Sequence, residues 1–175
     1  MLMLSGGPTK DELIAIALDK LQLKKGETFV DVGCGTGSVS LAASKYTSHI
    51  IAIDKRFEAI EEARKCFRDA GIARNVTLIA GTAPEALEEL NINMEKAFIG
   101  GTKNFKGIIE FLRPRCKRLV LNAARIEVAS DAIEFMKSVG IYEQSLLIII
   151  SKGFELKGFT AYRPYNPVFM VVGSC

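Results

Sequence analysis

A glycine-rich stretch that follows a short apolar run has the spacing of a turn that binds a cofactor. Gly33, Gly35 and Gly37 are separated by single residues, and a helix-forming sequence begins at Ser38. Glycine adopts positive φ angles at no steric cost and lets a ligand approach the backbone closely, and the amino end of a helix adds free N–H groups. The fingerprint of a nicotinamide-binding turn is G-x-G-x-x-G, whose third glycine would fall at position 38, where this chain has Ser38. That fingerprint also has no acid at the position of Asp31. The stretch therefore predicts a cofactor site of another kind.

Further residues with binding chemistry follow the second and third apolar runs. Asp54 ends the second run, where a carboxylate accepts hydrogen bonds from both hydroxyls of an adenosine ribose, although Asp is also a common helix cap. Thr82 and Ala83 follow the third run, where they can line an adenine ring or simply open a short helix. Ligands of an open parallel sheet bind beyond the carboxyl ends of its strands. These residues and the glycines are therefore predicted to share one site.

The fourth and fifth apolar runs also end in residues that face this predicted edge. Gly100 and Gly101 either leave room for a bulky ligand or form a plain tight turn. Asn122 either faces the ligand or closes a strand-end Asx turn. The single histidine, His49, precedes the second run, away from the edge, and is expected to be structural or exposed. The residues therefore indicate a binding site, with no catalytic residue and no metal site assigned.

The spacing around Asp31 resembles that of the S-adenosylmethionine-dependent methyltransferases of the Rossmann-like class, which carry acid-x-G-x-G-x-G at this turn. In that class the loop after the third strand lines the adenine and often has an acid where Thr82 stands, so the backbone of Thr82 and Ala83 is left to read the base edge. Members that act on nucleic-acid or amide nitrogen often carry N/D-P-P-Y/F after the fourth strand. Gly100-Gly101-Thr102 stands there instead.

Alternating strands and helices are expected to position these residues. Strand-sized runs and helical segments alternate five times, which predicts an α/β, Rossmann-like fold with a mostly parallel seven-stranded sheet and helices on both faces. The last two strand runs lack a helix-length crossover between them and are expected to form an antiparallel C-terminal hairpin. A helix before the first strand is predicted to begin with a capping box of Thr9 and Glu12. The predicted strands are 28–32, 50–53, 76–79, 96–99, 118–121, 141–151 and 167–172, and the longer helices after the first strand are 38–46, 57–70, 104–112 and 126–139.

The composition is that of an ordinary globular protein. The chain has 175 residues, 49% of them hydrophobic and 25% charged, which predicts one domain over residues 1–175 with a sizeable core. It has neither an apolar run of about 18 residues, as a membrane span needs, nor a signal-peptide pattern. Its four cysteines form no C-x-x-C pair, so reduced thiols and a cytoplasmic location are expected. The net charge of +3 is too weak to indicate nucleic acid and suits a small polyanionic substrate equally.

The segment 152–166, between the last two strand runs, is rich in basic and aromatic residues. These are Lys152, Lys157 and Arg163, interleaved with Phe154, Phe159, Tyr162 and Tyr165. Such interleaving can bind nucleic acid, form a subunit contact or make a rim for an acidic macrocycle. The default expectation is a long connection that is packed by its own aromatic side chains.

Seven stretches together make the chain similar to one family within the class, the archaeal decarboxylating precorrin methyltransferases of cobalamin (vitamin B12) biosynthesis, which act on cobalt-precorrin-6B. The stretches are 7–10, 31–37, 52–54, 81–87, 100–101, 122–123 and 166–168. The glycine loop is shared with countless methyltransferases. The opening P-T-K, the G-x-A-P-E-A-L run and the glycine pair are the features that make the chain resemble this family in particular. Thr82 departs from the family, which usually has Asp there.

The resemblance implies transfer of a methyl group from S-adenosylmethionine to carbon 15 of a cobalt-precorrin, with loss of the ring C acetate carboxyl as carbon dioxide. It also implies a homotetramer in which the late hairpin takes part in subunit contacts. The predicted cofactor-binding residues are Thr9, Gly33, Cys34, Gly35, Thr36, Gly37, Asp54, Thr82 and Ala83. The predicted substrate-binding residues are Gly100, Gly101, Asn122, Arg125 and Arg163, with Lys103 and Lys152 as further partners for substrate carboxylates.

Two other classes of function compete with this interpretation. An RNA methyltransferase with the same cofactor core predicts salt-dependent RNA binding and a larger basic patch or an appended domain, and the sequence shows neither. Nucleic acid is therefore not the expected partner. A non-catalytic module built on the same fold predicts a damaged glycine loop or a lost ribose acid, whereas Gly33, Gly35, Gly37 and Asp54 are all in place.

Overall fold

The computed structural model describes residues 9–90, 92–101 and 103–175 of the chain. The strands are β1 Thr28–Val32, β2 His49–Asp54, β3 Val76–Ala80, β4 Lys96–Ile99, β5 Arg118–Ala123, β6 Tyr142–Ile148, β7 Ser151–Leu156, β8 Phe159–Pro164 and β9 Val168–Ser174. The α-helices are α1 Asp11–Leu21, α2 Ser38–Ala43, α3 Phe57–Asp69, α4 Glu85–Glu88, α5 Phe105–Leu112 and α6 Ile126–Ser138, with a 3₁₀ turn at Ala73–Asn75. Gly7, Pro8 and Thr102, which belong to the motifs quoted above, lie outside the described residues.

Seven strands form one sheet in the order β3-β2-β1-β4-β5-β9-β6. The pairs among β1 to β5 are parallel, and β9 is antiparallel to both β5 and β6. The prediction of a mostly parallel sheet whose last two strands are antiparallel to each other is therefore confirmed. Because the first five strands are parallel, the loops that follow them emerge at one edge of the sheet, which we call the carboxyl edge.

Alternating side chains divide the core between the two faces of the sheet. Val32 and Leu121 pack with α5 and α6 on one face. Phe29 and Val120 pack with α1 and α2 on the other, which we call the α1 face. Successive strand residues point to opposite faces, so Asp31 and Asn122 belong to the α1 face. These two polar side chains lie on the same side of the sheet as the first helix.

The predicted capping box at the start of α1 is wrong. The helix begins at Asp11, its N-cap is Lys10, and no side chain caps it. Glu12 does not reach back to Thr9, because its carboxylate pairs with Lys152 Nζ at 2.8 Å. Asp11 and Glu12 in the first turn place negative charge at the positive end of the helix dipole, which stabilises the helix start without a capping side chain.

Most of the segment 152–166, expected to be a long connection, belongs to a two-stranded hairpin formed by β7 and β8. β7 and β8 pair antiparallel and form a sheet of their own. Lys157 and Gly158 connect them with positive φ angles of 52° and 82°, the conformation of the tight turns that match strand twist. The prediction missed the hairpin because every residue of β7 is exposed, so it lacks the alternation of a half-buried strand.

Within the described ranges, none of the helices combines the length and the hydrophobicity that crossing a bilayer requires.

Candidate functional site

The glycine loop is held against the end of β2 by backbone hydrogen bonds. The Gly33 and Cys34 N–H groups both donate to the Ile53 carbonyl, at 2.8 and 3.0 Å, and Gly37 N–H donates to the Cys34 carbonyl at 2.9 Å. Cys34 is buried beneath the turn, whereas Thr36 is partly exposed on it. The loop therefore forms a cradle whose backbone is hydrogen-bonded to the end of the second strand.

Gly33 brings the loops after β1 and β4 into contact. A Cβ atom on Gly33 would lie 2.7 Å from the Gly101 backbone nitrogen, and the residue has a φ of +76°. Gly100 N–H and Gly101 N–H both donate to the Val32 carbonyl, at 2.8 and 3.3 Å. A Cβ on Gly100 would approach Gly33 O to 3.3 Å. The close approach of the two loops gives Gly100 a packing role, while room for a bulky ligand and a plain tight turn both stay open for the pair.

Asp54 lies against the glycine loop and is almost fully buried, with 4% of its surface exposed. Its Oδ2 accepts a hydrogen bond from Gly35 N–H at 2.9 Å and one from Arg56 Nη2 at 3.0 Å. Its Oδ1 accepts from the Arg56 backbone N–H at 2.9 Å and from Arg56 Nε at 3.0 Å. The N-cap of α3 is Arg56, so the alternative role of Asp54 as the helix cap is wrong.

The charge of Asp54 is maintained by these contacts. Burial acts to raise the pKa of the carboxyl, but hydrogen bonds from the Arg56 side chain and backbone and from Gly35 N–H outweigh it, so the pKa lies below its usual value. The site thus presents a carboxylate at neutral pH, which is the form that accepts two hydroxyl groups. A diol that bound Asp54 would share the carboxylate oxygens of Asp54 with Arg56. The sequence did not indicate this contact between Arg56 and Asp54.

Asp31 is a second buried carboxylate, on the α1 face below the loop. Its Oδ2 accepts hydrogen bonds from Ser40 Oγ at 2.6 Å and Ser40 N–H at 3.1 Å. Its Oδ1 has no hydrogen-bond partner among the described residues. Burial, which disfavours the charged form, raises the pKa of Asp31 to about 6 from an ordinary 3.8, despite the two bonds from Ser40.

The raised pKa of Asp31 predicts a pH-dependent contribution to stability. The folded chain binds this proton more tightly than the unfolded chain, so the contribution is fully present below pH 3.8 and is lost as pH rises through 6. We expect the unfolding free energy of the wild type minus that of Asp31→Asn to fall by about 3 kcal/mol between pH 3 and pH 7. Urea unfolding at several pH values measures this difference. A difference that stays constant or rises with pH would contradict the assignment.

The loop after β3 lies beside Asp54. Gly81 N–H donates to the Asp54 carbonyl at 3.0 Å. Thr82 is exposed, and its carbonyl accepts from Ala86 N–H at 2.9 Å, while Ala83 is buried. The Thr82 carbonyl is therefore already engaged by the start of α4, and the N–H groups of this loop are the better candidates for a base edge.

The predicted substrate residues are more widely spread. Asn122 is not in a strand-end turn, because β5 continues to Ala123, and its Oδ1 has no partner among the described residues. Arg125 is exposed immediately before α6. Arg163 lies on the separate hairpin, 5.1 Å above the Phe154 ring. Among the described residues, hydrogen bonds join the first four loops at the carboxyl edge, while the contact of Arg163 is with Phe154 of its own hairpin.

Three comparisons relate the chain to known proteins. A family model described as a precorrin methyltransferase domain matches residues 4–173. A protein of Methanosarcina mazei named probable cobalt-precorrin-6B C(15)-methyltransferase (decarboxylating) is 42% identical over 175 residues, covering 97% of this chain and 95% of that protein. The crystal structure of a precorrin 8W decarboxylase from Methanobacterium thermoautotrophicum matches with a TM-score of 0.91 at 29% identity, over 97% of this chain and 92% of that one. A precorrin-6Y C5,15-methyltransferase structure from Geobacter metallireducens matches with a TM-score of 0.90 at 29% identity, over 99% and 94%.

Proposed function

The chain belongs to the precorrin methyltransferase domain family, and on that premise we propose that it methylates carbon 15 of a cobalt-precorrin and removes the ring C acetate carboxyl as carbon dioxide. The observation that carries the proposal is the hydrogen bond between Gly35 N–H and Asp54 Oδ2. It joins a glycine cradle to a buried carboxylate at the carboxyl edge of a parallel sheet, which is where open α/β folds bind their nucleotide ligands. The methyltransferase relatives supply the reaction class.

The residues at this edge suit S-adenosylmethionine, which supplies a methyl group activated by its sulfonium when bound. Asp54 would accept the ribose hydroxyls, and the loop at Thr82 and Ala83 would contact the adenine. The cradle at Gly33 to Gly37 carries no side chain at alternate positions, so its backbone can approach the ligand. The unpartnered Asp31 Oδ1 indicates that a polar group is missing near the loop.

The rest of the chain has to hold the substrate rather than activate it. The macrocycle carbon that accepts the methyl group is electron-rich, so alignment of substrate and donor is the main requirement. The conjugated macrocycle itself takes up the electron pair that decarboxylation releases. We propose that Lys103, Arg125 and Arg163 bind the substrate carboxylates through charge-assisted hydrogen bonds. Lys152 is a weaker candidate, since it is paired with Glu12.

We also propose that the chain acts as one domain, that it functions as a cytoplasmic homotetramer, and that the β7–β8 hairpin takes part in the subunit contacts. The hairpin exposes Phe159 by 79% and Tyr162 by 70%. Leu156, which is 51% exposed, pairs directly across the hairpin with Phe159, so these two apolar side chains lie on one face. Exposed apolar patches are typical of interaction surfaces. This supports contact between copies over the alternative of a loop that buries its own aromatics.

Mass spectrometry of a reaction with cobalt-precorrin-6B and S-adenosylmethionine tests the activity. We expect a product that has gained one methyl group and lost one carbon dioxide, and no such product with Asp54→Ala, the variant that lacks the proposed ribose ligand. Binding of S-adenosylhomocysteine without turnover would reject the tetrapyrrole substrate and favour an RNA methyltransferase. Salt-dependent RNA binding would then be measured.

A further inference from the structure

Two cysteines that are far apart in the chain meet at the amino edge of the sheet, which is the edge opposite to the carboxyl edge. Cys116 lies in the connection between α5 and β5, and Cys175 follows β9. The register of this antiparallel strand pair places Arg118 opposite Ser174. One residue further, the Cys175 N–H donates to the Lys117 carbonyl at 3.1 Å. Cys175 is therefore held across from Lys117, the neighbour of Cys116.

This arrangement of the backbone brings the two thiols into contact. Opposite residues of an antiparallel pair have Cα atoms about 4.5–5.5 Å apart, and a disulfide joins Cα atoms about 4.4–6.8 Å apart. Cys116 precedes the regular ladder of β5, so the alternation of side chains between the two faces of the sheet does not separate it from Cys175. The two side chains are in hydrogen-bonding contact with each other. The pair is therefore close enough for a covalent link.

The two thiols differ in their exposure and in their ionisation. Cys175 is exposed, whereas Cys116 is buried. The hydrogen-bonding contact with Cys116 lowers the pKa of the Cys175 thiol, while the same contact and burial raise the pKa of Cys116. The thiolate is the nucleophile of thiol–disulfide exchange. Cys175 is therefore the thiol that an oxidant reaches and the one that reacts first.

We propose that Cys116 and Cys175 form a reversible disulfide when the chain meets a low-molecular-weight disulfide as oxidant. The Cys175 thiolate attacks one sulfur of the oxidant, whose S–S bond breaks and releases one small thiolate. The Cys116 sulfur, after its proton is lost to solvent, attacks the Cys175 sulfur and displaces the second small thiolate. The two protein thiols thus lose two protons and two electrons, and the oxidant is reduced to two thiols.

The disulfide would join the end of β9 to the connection before β5. A reducing compartment keeps such a pair as two thiols, so the link is a response to oxidation and agrees with cysteines that are otherwise reduced. The pair lies at the edge of the sheet opposite to the glycine loop, and its oxidation is independent of the proposed methyl transfer.

Incubation of the full chain with oxidised glutathione, followed by intact mass spectrometry and peptide mapping, tests this inference. We expect the loss of two hydrogen atoms and a pair of peptides joined through Cys116 and Cys175, both of which dithiothreitol reverses. The linked chain should have a Tm about 5 °C or more above that of the reduced chain, because closing a loop of this length restricts the unfolded state. Cys175→Ser should show neither the mass loss nor the rise in Tm.

Cys66→Ser is the matched control, since it removes a partly exposed cysteine of α3 and keeps the pair. It should oxidise as the wild type does. Thermal unfolding under reducing conditions verifies that each variant is folded. A product that carries only glutathione on Cys175, a link that includes Cys34 or Cys66, or a disulfide between two copies of the chain would overturn the inference. A Tm that does not rise on linking would also overturn it, because the native fold would then not accommodate the bond.

Discussion

Replacing Asp54 with asparagine is expected to weaken binding of S-adenosylhomocysteine by about a hundredfold or more. The carboxylate is buried and charged, and the proposal gives it both ribose hydroxyls. A hydrogen bond to a charged group contributes about 1.5–3 kcal/mol, and each 1.4 kcal/mol is about tenfold in affinity. The variant also exchanges an acceptor for an NH₂ group that faces the Gly35 N–H or the Arg56 guanidinium. Both the ligand contact and the position of the loop are therefore affected.

Calorimetry with two ligands locates this effect at the ribose: S-adenosylhomocysteine, and 5′-methylthioadenosine, which has the same adenosine but lacks the amino-acid end. Asp54→Asn should weaken methylthioadenosine as strongly as S-adenosylhomocysteine, because both carry the ribose. Glu58→Gln is the matched control, since it removes a charge from the exposed first turn of α3, four residues further along the chain. We expect it to change either affinity less than twofold. Unaltered binding by a folded Asp54→Asn variant would reject the ribose assignment.

Gly37→Ala is expected to lower the free energy of unfolding by about 3 kcal/mol or more. A Cβ at this position would lie 2.4 Å from Cζ of Phe67, and the residue has a φ of +85°. Phe67 is buried on α3 and has little room to move. Positive φ costs a non-glycine residue about 1–2 kcal/mol, and overpacking a core adds about 1–3 kcal/mol. Chemical denaturation measures the sum.

Gly26→Ala separates the two contributions. Gly26 has the same φ of +85°, but a Cβ there would meet nothing within 4 Å. This variant should lose only the conformational part, so the excess loss in Gly37→Ala reports the clash with Phe67. Combining Gly37→Ala with Phe67→Leu should recover part of that excess if the ring is the obstacle. Equal losses for Gly26→Ala and Gly37→Ala would show that the loop relaxes around the added methyl group.

Much of the fold and the family were predictable because their signals are local. The bounds of β1 and β4 agree with the predicted strands, since each is an apolar run ended by a turn. The predicted family is confirmed by the match of the precorrin methyltransferase domain to residues 4–173. Gly33 and Asp54 were singled out from spacing alone, and the structure places their loops in contact. Their roles in binding the cofactor stay predictions.

The prediction of strands from hydrophobic periodicity failed at a strand that is exposed to solvent. β7 is exposed on both faces, so no alternation distinguishes it from a loop. The Lys157-Gly158 turn between β7 and β8 was the available signal, because a glycine between two β-prone segments favours a hairpin. The capping box failed for another reason. Glu12 is drawn away from the helix start by Lys152, a partner far along the chain.

The alternation of strands and helices, the glycine cradle and the acid after the second strand could all be identified from the amino-acid sequence alone. Each depends on neighbours within a few residues, whose spacing sets backbone conformation and burial. Which carboxylate oxygens have hydrogen-bond partners depends on tertiary contacts, and the sequence does not show these. Arg56 donates hydrogen bonds to both oxygens of Asp54. Ser40 donates to one oxygen of Asp31, and Lys152 forms an ion pair with one oxygen of Glu12. Hydrogen bonding is satisfied in three dimensions, so the enclosed oxygens that remain without a donor emerge only when distant segments are packed together.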